Sequence, residues 1–377
     1  MRMDAVLIPK VSNIYCFYLF FKKFIYFKKR ATSKVLQFLF SLLVPVKYAN
    51  FVKEIEFVAC MEKEITFIIN RSEITAGTRG ASLGPDAIIT AARVKNSVLF
   101  GSHEIFNLPQ MNHLLDQPTP YLFAKRINGL KQVLEAVSEK VSSELKKNHF
   151  PIVLAGDHGS AAGTLAGIKN AYPEKRIGAI WIDAHGDLHT PYTTPSGNMH
   201  GMPLALAMAE DNMECAKNNV LAETVALWDE LKNIGFSGAK ILPQDLVFIA
   251  VRDTEAEEDA LMERLSLRNF KVEEVLEKGT EQTAVLVLDY LKECDLIYIS
   301  FDVDSMDPKA TSYGTGTPVR NGLIPKQARQ LLISLSNSPK TVCVEFVEVN
   351  PCLDEKLNRM GEVAFELLES LVNSLKK

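Results

Sequence analysis

From about residue 61 onward, short runs of apolar and β-branched residues alternate with longer stretches of helical periodicity. The apolar runs cover residues 65–70, 151–156, 177–183, 246–251, 296–302 and 342–349. Between them, the stretch 124–147 repeats apolar residues at spacings of three and four, which predicts an amphipathic helix. Continuous apolar strands that alternate with helices are typical of parallel sheets buried on both faces. The pattern therefore predicts an α/β fold in which helices cover both faces of a mainly parallel sheet.

Acidic and imidazole side chains stand where several of these strands are expected to end. In open α/β sheets, ligands bind outside the carboxyl ends of the strands, so these side chains are expected along one edge. Strands ordinarily end in turn residues such as Gly, Asn or Ser, and repeated acids and histidines therefore indicate a functional site. The residues are Asp157 and His158, then Asp183, His185 and Asp187, then Arg252 and Asp253, then Asp302 and Asp304, and finally Glu348.

Six of these side chains form a candidate metal site. Residues two apart on an extended chain point to the same side, which lets alternate residues of 183–187 and 302–304 converge. Four carboxylates packed together repel one another, and two divalent cations would balance their charge while both histidines stay neutral. Oxygen-rich ligation with some imidazole favours Mn²⁺, and Fe²⁺, Co²⁺ and Ni²⁺ suit the same ligand types. The six candidates are His158, Asp183, His185, Asp187, Asp302 and Asp304.

Each segment alone has a plainer interpretation, because a single DxD is usually a solvated turn and a single HxD usually caps a helix. The combination changes the balance, since four of the seven histidines lie between residues 158 and 200. A two-metal site activates water and orients a substrate, which indicates metal-assisted hydrolysis. Acids beyond those needed for metal indicate a cationic substrate and disfavour a phosphate. These acids are Asp253, Glu255, Glu257, Glu258 and Glu348.

Several motifs resemble those of the ureohydrolases, and of the arginases in particular. They are GTRGASLGP (77–85), AGDHGS (155–160), DAHGDLHTPYTTPSGNMHG (183–201), SFDVDSMDP (300–308), GTGTP (314–318) and EVNP (348–351). The resemblance runs from about residue 61 to the C-terminus, with the motifs in the family's order. It implies a three-layer α/β/α fold and an enzyme that hydrolyses guanidino groups to urea and an amine, with two Mn²⁺ ions per subunit.

The resemblance also implies a role for individual residues. Asp187 would hold the attacking water and receive its proton, His200 would act as the proton shuttle, and Glu348 would pair with the guanidinium. Asp183 and Asp302 would bridge the two ions. One ligand set would be His158, Asp183, Asp187 and Asp302, and the other would be Asp183, His185, Asp302 and Asp304.

The run TTPSGNMHG is arginase-like, which implies L-arginine as the substrate and L-ornithine and urea as the products. Within the family's pattern, Ser196 and Thr317 fit residues of the substrate-binding loops. Asp253 and Glu258 fit the acids that recognise the α-amino group. These four residues are therefore expected to bind the substrate.

Two further substrate-binding positions depart from the family's pattern. His189 stands where the family usually has asparagine, and Glu255 stands where the shorter aspartate is common. Both bear on recognition of the α-carboxylate and α-amino groups and not on the metals. Alternative substrates are therefore agmatine, guanidinobutyrate and formimidoylglutamate. A catalytically dead scaffold homologue is a remote alternative, because all six ligand positions carry residues able to bind metal.

Charge divides the chain of 377 residues into two unlike parts. Residues 1–60 hold ten Lys and Arg against three Asp and Glu, and 13 of the 30 Phe and Tyr. The remaining 317 residues hold 32 Lys and Arg against 43 Asp and Glu, which disfavours nucleic-acid binding. Residues 1–60 are expected to be an over-extended start or a disordered leader. The alternatives are a membrane-surface or targeting element and a structured segment.

Cysteine usage and the family resemblance give further expectations. The six cysteines show no CxxC pair and no regular spacing, which favours reduced thiols in a cytoplasmic protein. The expected partners are a small cationic guanidino substrate and copies of the same chain, because the family commonly forms trimers or hexamers. The tail 367–377 has the pattern of an amphipathic helix, which suits core packing and a subunit contact equally. Membrane association is not expected, except through residues 1–60.

A chain that begins at Met61 is expected to fold and to keep full hydrolytic activity, because the family resemblance starts only there. Urea release by the full-length and shortened chains, together with thermal unfolding of both, checks this expectation. Loss of folding or of activity in the shortened chain would show that residues 1–60 belong to the working enzyme.

Overall fold

The computed structural model describes residues 64–376, and the strands within that range form one sheet. The segment 1–60 and the expected start at Met61 lie outside the described residues, so the predictions made for them stay predictions. The eight strands are β1 (Ile65–Asn70), β2 (Glu104–Asn107), β3 (Phe150–Ala155), β4 (Ile177–Ile182), β5 (Leu246–Ile249), β6 (Arg268–Phe270), β7 (Leu296–Asp302) and β8 (Thr341–Val347).

All neighbouring strands of this sheet are parallel. Their order across the sheet is β2-β1-β3-β8-β7-β4-β5-β6. Six of the strands are the six apolar runs of the sequence, with shifts of at most two residues at their ends. The predicted α/β fold with a mainly parallel sheet is therefore confirmed.

The apolar pattern of the sequence does not predict the two edge strands, β2 and β6. They are short, and they read EIFN and RNF, with most of their residues partly or fully exposed. An edge strand pairs on one side only and is less buried, so it lacks the long apolar run that marks a central parallel strand.

Helices cover both faces of the sheet, as the family resemblance implies for a three-layer α/β/α fold. One layer consists of α1 (Gly84–Val94), α7 (Val272–Lys278), α8 (Thr280–Tyr290), α9 (Pro325–Ser336) and α10 (Arg359–Leu375). The other consists of α2 (Ile127–Lys146), α3 (Ser160–Ala171), α4 (Pro203–Met208), α5 (Ala222–Leu231) and α6 (Ala256–Arg264). The predicted helix 124–147 corresponds to α2. No helix of residues 64–376 combines the length and apolarity needed to cross a membrane.

The central strands send alternate side chains into two separate cores. In β1, Phe67 and Ile69 belong to the core beneath α1 and α10, whereas Ile68 belongs to the core beneath α2 and α3. In β4, Ile180 and Trp181 divide in the same way. Because successive residues of a strand point to opposite faces, continuous apolar runs are what a sheet buried on both faces requires.

The packing of α2 on α3 fixes the chain close to one strand end. A Cβ at Gly167 of α3 would lie 2.7 Å from the carbonyl oxygen of Ser138 in α2, so no side chain fits there. Since α3 begins two residues after His158, this close approach holds His158 in place at the end of β3.

Helix α10 buries one face along most of its length. Phe365, Leu368 and Leu371 are fully buried and belong to the core that α10 shares with α1 and α9. The apolar side of the predicted tail helix therefore serves core packing within the chain.

Phe365→Ala is expected to lower the free energy of unfolding by about 3–5 kcal/mol, because it removes a buried ring and leaves a cavity. Leu276 on α7 is 59% exposed, so Leu276→Ala is the matched control and should change stability by less than about 0.5 kcal/mol. Guanidinium denaturation followed by tryptophan fluorescence measures both variants. A wild-type midpoint for Phe365→Ala would contradict the core position of α10.

Candidate active site

One cavity of about 320 Å³, called here the site cavity, opens at the carboxyl edge of the sheet. The neighbouring strands β3, β8, β7, β4 and β5 end around it. The metal-binding, catalytic and substrate-binding residues predicted from the sequence all line this cavity except Asp183, which is fully buried. The structure brings these side chains together from distant parts of the chain, and their individual roles stay predictions.

His158 stands at the centre of a first group of potential ligands. Its Nδ1 lies 3.0 Å from Asp183 Oδ2, 2.9 Å from Asp187 Oδ2 and 3.2 Å from Asp302 Oδ2. The atoms His158 Nδ1, Asp183 Oδ2 and Asp187 Oδ2 are buried and make no hydrogen bond with the described residues, although they are this close. They converge on a common point without being one another's hydrogen-bond partners.

A second group shares Asp183 with the first. His185 Nδ1 lies 3.4 Å from Asp183 Oδ1 and 3.1 Å from Asp304 Oδ2. Asp183 therefore directs one carboxylate oxygen toward each group, which is the arrangement expected of a bridging ligand. Asp302 directs Oδ2 toward His158, while its Oδ1 accepts a 2.8 Å hydrogen bond from the backbone N–H of Asp304.

The charges of both groups favour cations. Burial raises the pKa of the Asp302 carboxyl well above its ordinary value, and the negative charges of Asp304 and Asp183 add to the effect. Burial opposes protonation of His158, but the carboxylates around it outweigh burial and raise its pKa well above the ordinary value. The surrounding acids thus stabilise positive charge at each histidine.

Divalent cations fit this arrangement. An ion at the first group would use the unpartnered buried atoms as ligands. An ion at each group would balance the carboxylates more fully than protonated imidazoles do. Carboxylate oxygen with some imidazole nitrogen is a donor set suited to Mn²⁺ and similar ions. The ligand atoms of His158, Asp183 and Asp187 lie close together, and so do those of Asp183, His185 and Asp304.

The ring of His158 is held from two further directions. Its Nε2 lies 2.7 Å from Ser300 Oγ, and its ring stacks on that of Trp181 with centroids 4.2 Å apart. Behind it, the hydroxyl of Tyr298 donates a 2.6 Å hydrogen bond to Glu345 Oε2. Such contacts fix the orientation of a ligand ring. Sequence reasoning missed these residues, although the period-two spacing of residues 298, 300 and 302 in β7 could have found two of them.

Two residues of the site adopt left-handed backbone angles that side chains other than glycine rarely take. Asp187 has φ of 51° and Glu348 has φ of 65°. This conformation costs free energy and persists only where surrounding contacts determine it. Here it turns both carboxylates back toward the strand ends, and Glu348 Oε1 accepts a 2.9 Å hydrogen bond from the backbone N–H of His158.

His200 and Glu348 form an ion pair on the wall beside the metal-ligand groups. His200 Nδ1 lies 3.4 Å from Glu348 Oε1. Burial opposes protonation of His200, but Glu348 outweighs it, so the pKa of His200 is raised above its ordinary value. Beneath them, burial and the charge of Glu348 raise the pKa of Asp157 to about 6. Glu348 therefore favours the protonated form of His200, which faces the cavity.

Three carboxyl groups form what we call the acid wall at the mouth of the site cavity, namely Asp253, Glu255 and Glu258. Glu258 is buried, and its carboxylate accepts hydrogen bonds from the backbone N–H groups of Leu188, at 2.9 Å, and Glu255, at 3.2 Å. Glu255 and Glu258 together cap the start of α6. Asp253 is 65% exposed and reaches to 3.9 Å from His185 Nε2.

The two residues that depart from the family's pattern contact each other. His189 Nε2 lies 3.1 Å from Glu255 Oε2, and His189 Nδ1 lies 3.2 Å from Thr193 Oγ1. Both ring nitrogens therefore have partners within the chain. The longer carboxylate of Glu255 and the imidazole of His189 form a matched pair within the acid wall.

Other residues of the cavity differ from the sequence expectations. Glu257 does not line it and instead forms an ion pair with Lys217 at 2.7 Å, so its expected place near the site is wrong. Glu257 points away from the cavity because it stands two residues after Glu255 at the start of α6, and residues two apart on a helix do not share a face. Thr317 lines the cavity, but its hydroxyl donates a 3.1 Å hydrogen bond to Asp304 Oδ2.

A wall of neutral side chains stands on another side of the site cavity. We call Thr194, Ser196 and Asn198 the neutral wall. Ser196 is exposed and its Oγ accepts a 3.1 Å hydrogen bond from the backbone N–H of Asn198. Sequence reasoning selected Ser196 alone, although Asn198 belongs to the same SGN segment.

Arg252 braces the loops that carry the acids. Its Nη2 donates hydrogen bonds to the carbonyl oxygens of Asp304, at 2.9 Å, and Val319, at 2.7 Å, and its Nε donates to that of Arg320, at 3.0 Å. One guanidinium thus joins the end of β5, the segment after β7 and the loop near residue 320. A larger, shallower cavity of about 1050 Å³ lies near β6, and Arg252 lines it but none of the predicted metal-binding, catalytic or substrate-binding residues does.

Comparison with known proteins agrees with this arrangement. A model of the arginase family matches residues 65–373. The arginase of Bacillus subtilis (strain 168) is 32% identical over 314 residues, which cover 83% of this chain and 98% of that protein. The solved structure of Entamoeba histolytica arginase in complex with L-ornithine has a TM-score of 0.69 at 26% identity, covering 82% of this chain and 98% of that one. The formimidoylglutamase of Bacillus subtilis, with a TM-score of 0.61 at 19% identity over 83% and 87% of the two chains, shares the fold.

Proposed function

Because the chain belongs to the arginase family, whose hydrolases act on guanidino C–N bonds, we propose that it hydrolyses L-arginine to L-ornithine and urea. The observation that carries the proposal is one cavity with acids at two levels: Glu348 beside the metal-ligand groups, and the acid wall at the mouth. Arginine has a guanidinium at one end and an ammonium at the other, so each level would neutralise one charge. The relative solved with L-ornithine supports the same substrate class.

We propose that the two ligand groups hold two Mn²⁺ ions per subunit. Asp183 would be shared, because its two oxygens point toward different groups. When bound, the ions supply an activated water and a positive field that stabilises the charge developing in the transition state. The residues that would hold them are His158, Asp183, His185, Asp187, Asp302 and Asp304.

The side chains around the ions would orient the substrate and move protons. Glu348 would accept hydrogen bonds from the guanidinium, which holds its carbon in front of the attacking water. Asp187 would accept the proton that the water gives up as its oxygen bonds to that carbon. His200 would donate a proton to the leaving nitrogen as its bond to the carbon breaks, and its raised pKa supports this role. The products are urea and the free amine of ornithine.

The mouth of the cavity would recognise the amino-acid end. The acid wall would bind the α-ammonium, and Ser196 on the neutral wall would donate a hydrogen bond to the α-carboxylate. Thr317 would act on the substrate only indirectly, because its hydroxyl already donates a hydrogen bond to Asp304. Remote binding energy of this kind places the reacting carbon accurately.

A second candidate substrate is 4-guanidinobutyrate, which lacks the α-ammonium. The contact between His189 and Glu255 favours it, because that carboxylate already has a partner 3.1 Å away. An acid wall with fewer free carboxylates binds an ammonium less strongly. The reaction class is the same for both substrates, since the ligand groups and Glu348 lie deeper in the cavity.

Two other expectations stay predictions. The trimer or hexamer implied by the family resemblance concerns contacts between copies of the chain. The remote scaffold alternative is disfavoured by the assembly of ligand-capable side chains with unpartnered buried atoms, which a protein without a bound cation would have little reason to keep.

The full-length protein loaded with Mn²⁺ is expected to have its highest kcat/KM on L-arginine among L-arginine, agmatine and 4-guanidinobutyrate. Urea release measures all three, and release of glutamate measures activity on formimidoylglutamate. Urea from another guanidine, with none from L-arginine, would contradict the proposed substrate and keep the reaction class. No turnover of any of the four compounds would favour the scaffold alternative.

Asp302→Asn is expected to lower the bound metal per chain and to reduce kcat at least about a hundredfold, because it removes a charged ligand. Metal analysis of purified protein and urea release measure the two effects. Asp289→Asn makes the same chemical change at an exposed position on α8 and is the control. Wild-type metal content in Asp302→Asn would contradict the proposed ligand role.

A further inference from the structure

A fully buried carboxyl group lies in the core behind the first group of metal ligands. Glu345 belongs to β8, and its neighbours on the same face of that strand, Cys343 and Val347, belong to the core beneath α2 and α3. A carboxyl group in such a core is unfavourable unless it is hydrogen-bonded. Glu345 Oε1 has no hydrogen-bond partner among residues 64–376, so the chain keeps this acid at a cost in stability. A buried polar atom without a partner indicates a role other than stability.

The register of the sheet connects this acid to a metal ligand. Ser300 of β7 is the Cα partner of Glu345, and Tyr298 stands two residues before Ser300 on the same face. The ring of His158 reaches the same place from the end of β3, with Nε2 2.7 Å from Ser300 Oγ. Glu345 and His158 are also close enough for the charge of His158 to lower the pKa of Glu345, against the larger effect of burial. Four polar side chains are thus grouped in an otherwise apolar core.

The hydrogen bonds of this group can run in one direction only. The Tyr298 hydroxyl donates a 2.6 Å hydrogen bond to Glu345 Oε2, and Oε2 accepts it whether or not a proton lies on Oε1. Burial and the charge of Glu345 raise the pKa of Tyr298 well above its ordinary value, whereas a hydrogen bond with Ser300 lowers it. Because the Tyr298 proton is directed to Glu345, the Tyr298 oxygen accepts from the Ser300 hydroxyl, and Ser300 Oγ accepts from His158 Nε2.

This direction selects one tautomer of the His158 ring. With its proton on Nε2, the neutral ring keeps a free lone pair on Nδ1, the atom that lies 3.0 Å from Asp183 Oδ2 and 2.9 Å from Asp187 Oδ2. A neutral imidazole binds a metal ion through the nitrogen that carries no proton, and the partner of the other nitrogen decides which one that is. The opposite tautomer would direct an N–H group toward the carboxylates and leave no lone pair for an ion.

We propose that Glu345 is a positioning residue that, through Tyr298 and Ser300, holds the proton of His158 on Nε2 and so prepares Nδ1 to bind the ion of the first group. The proposal deepens the proposed function and rests on it, because it requires two bound ions. Glu345 does not line the site cavity, so it touches neither the substrate nor the reacting atoms. Its effect should fall on the ion held by His158 and not on the ion held by His185.

The test is a titration of the full-length, metal-free protein with Mn²⁺, in which the electron paramagnetic resonance signal of free Mn²⁺ gives the dissociation constants of both ions. Glu345→Gln keeps the size of the side chain but replaces the terminal acceptor with an amide that can also donate. It is expected to weaken one of the two constants about tenfold, as for other groups behind metal ligands, and to leave the other within about twofold. Excess Mn²⁺ should restore most of kcat, because Glu345 contacts no reacting atom.

Two further variants complete the design. Tyr298→Phe removes the hydroxyl that links Glu345 to Ser300 and should weaken the same constant by a similar factor. The double variant should lose no more than the stronger single variant, because the residues act through one chain of hydrogen bonds. Thr283→Val is the matched control, since it removes a buried hydroxyl on α8 that donates a 2.8 Å hydrogen bond to the carbonyl oxygen of Gly279. It should leave both constants unchanged, and thermal unfolding of the metal-free proteins checks that each variant folds.

The role of Glu345 and the proposed function fail under different results. If the wild type binds two ions and hydrolyses L-arginine, while Glu345→Gln and Tyr298→Phe weaken both constants equally or neither, the role of Glu345 is refuted and the proposed function stands. If another guanidine is hydrolysed in place of L-arginine and Glu345→Gln weakens one constant alone, the proposed substrate fails and the role of Glu345 stands. If the wild type binds fewer than two Mn²⁺ ions, both are refuted.

Discussion

Four buried carboxylates meet at the carboxyl ends of β4 and β7, and their mutual repulsion is the constraint on which the rest of the site depends. The chain brings them together at a cost that only positive charge at the centre can offset. Asp187 joins the group through a left-handed backbone conformation. Ser300 and Trp181 fix the ring of His158 through a polar contact and ring stacking. The two cores of the sheet make this possible, because they hold the strand ends rigid on both faces.

In the proposed function, residues deep in the site cavity carry out the reaction and residues at its mouth recognise the substrate. The ligand groups and Glu348 lie at the ends of strands, which the sheet holds in place, whereas the acid wall and the neutral wall belong to loops and a helix start. Loops tolerate change better than the strands they connect. A fold of this kind can therefore keep its strand-end residues while the outer residues, which would contact the far end of a substrate, change.

The central strands and the residues at their ends could be predicted because the information is local: an apolar run, followed by an acid or a histidine. The edge strands β2 and β6 could not be predicted, because a short, half-exposed strand forms by pairing with its neighbour and not through its own apolar pattern. The direction of Glu257 could have been predicted, because helical spacing places it on a different face from Glu255. The hydrogen bond from the backbone N–H of Lys125 to the carbonyl oxygen of Gly197 could not be predicted, because it joins two segments that lie far apart in sequence.

The contact between His189 and Glu255 also constrains how this chain can change over evolutionary time. At these positions the family usually has asparagine and commonly aspartate, both shorter side chains, and here each longer side chain has the other as its partner. Reverting one alone would leave a polar group near the cavity without its hydrogen bond, at a cost of about 1–3 kcal/mol. Reverting both would exchange one matched pair for another, so the two substitutions are non-additive. The two positions are therefore energetically coupled, and the effect of changing one depends on which residue stands at the other.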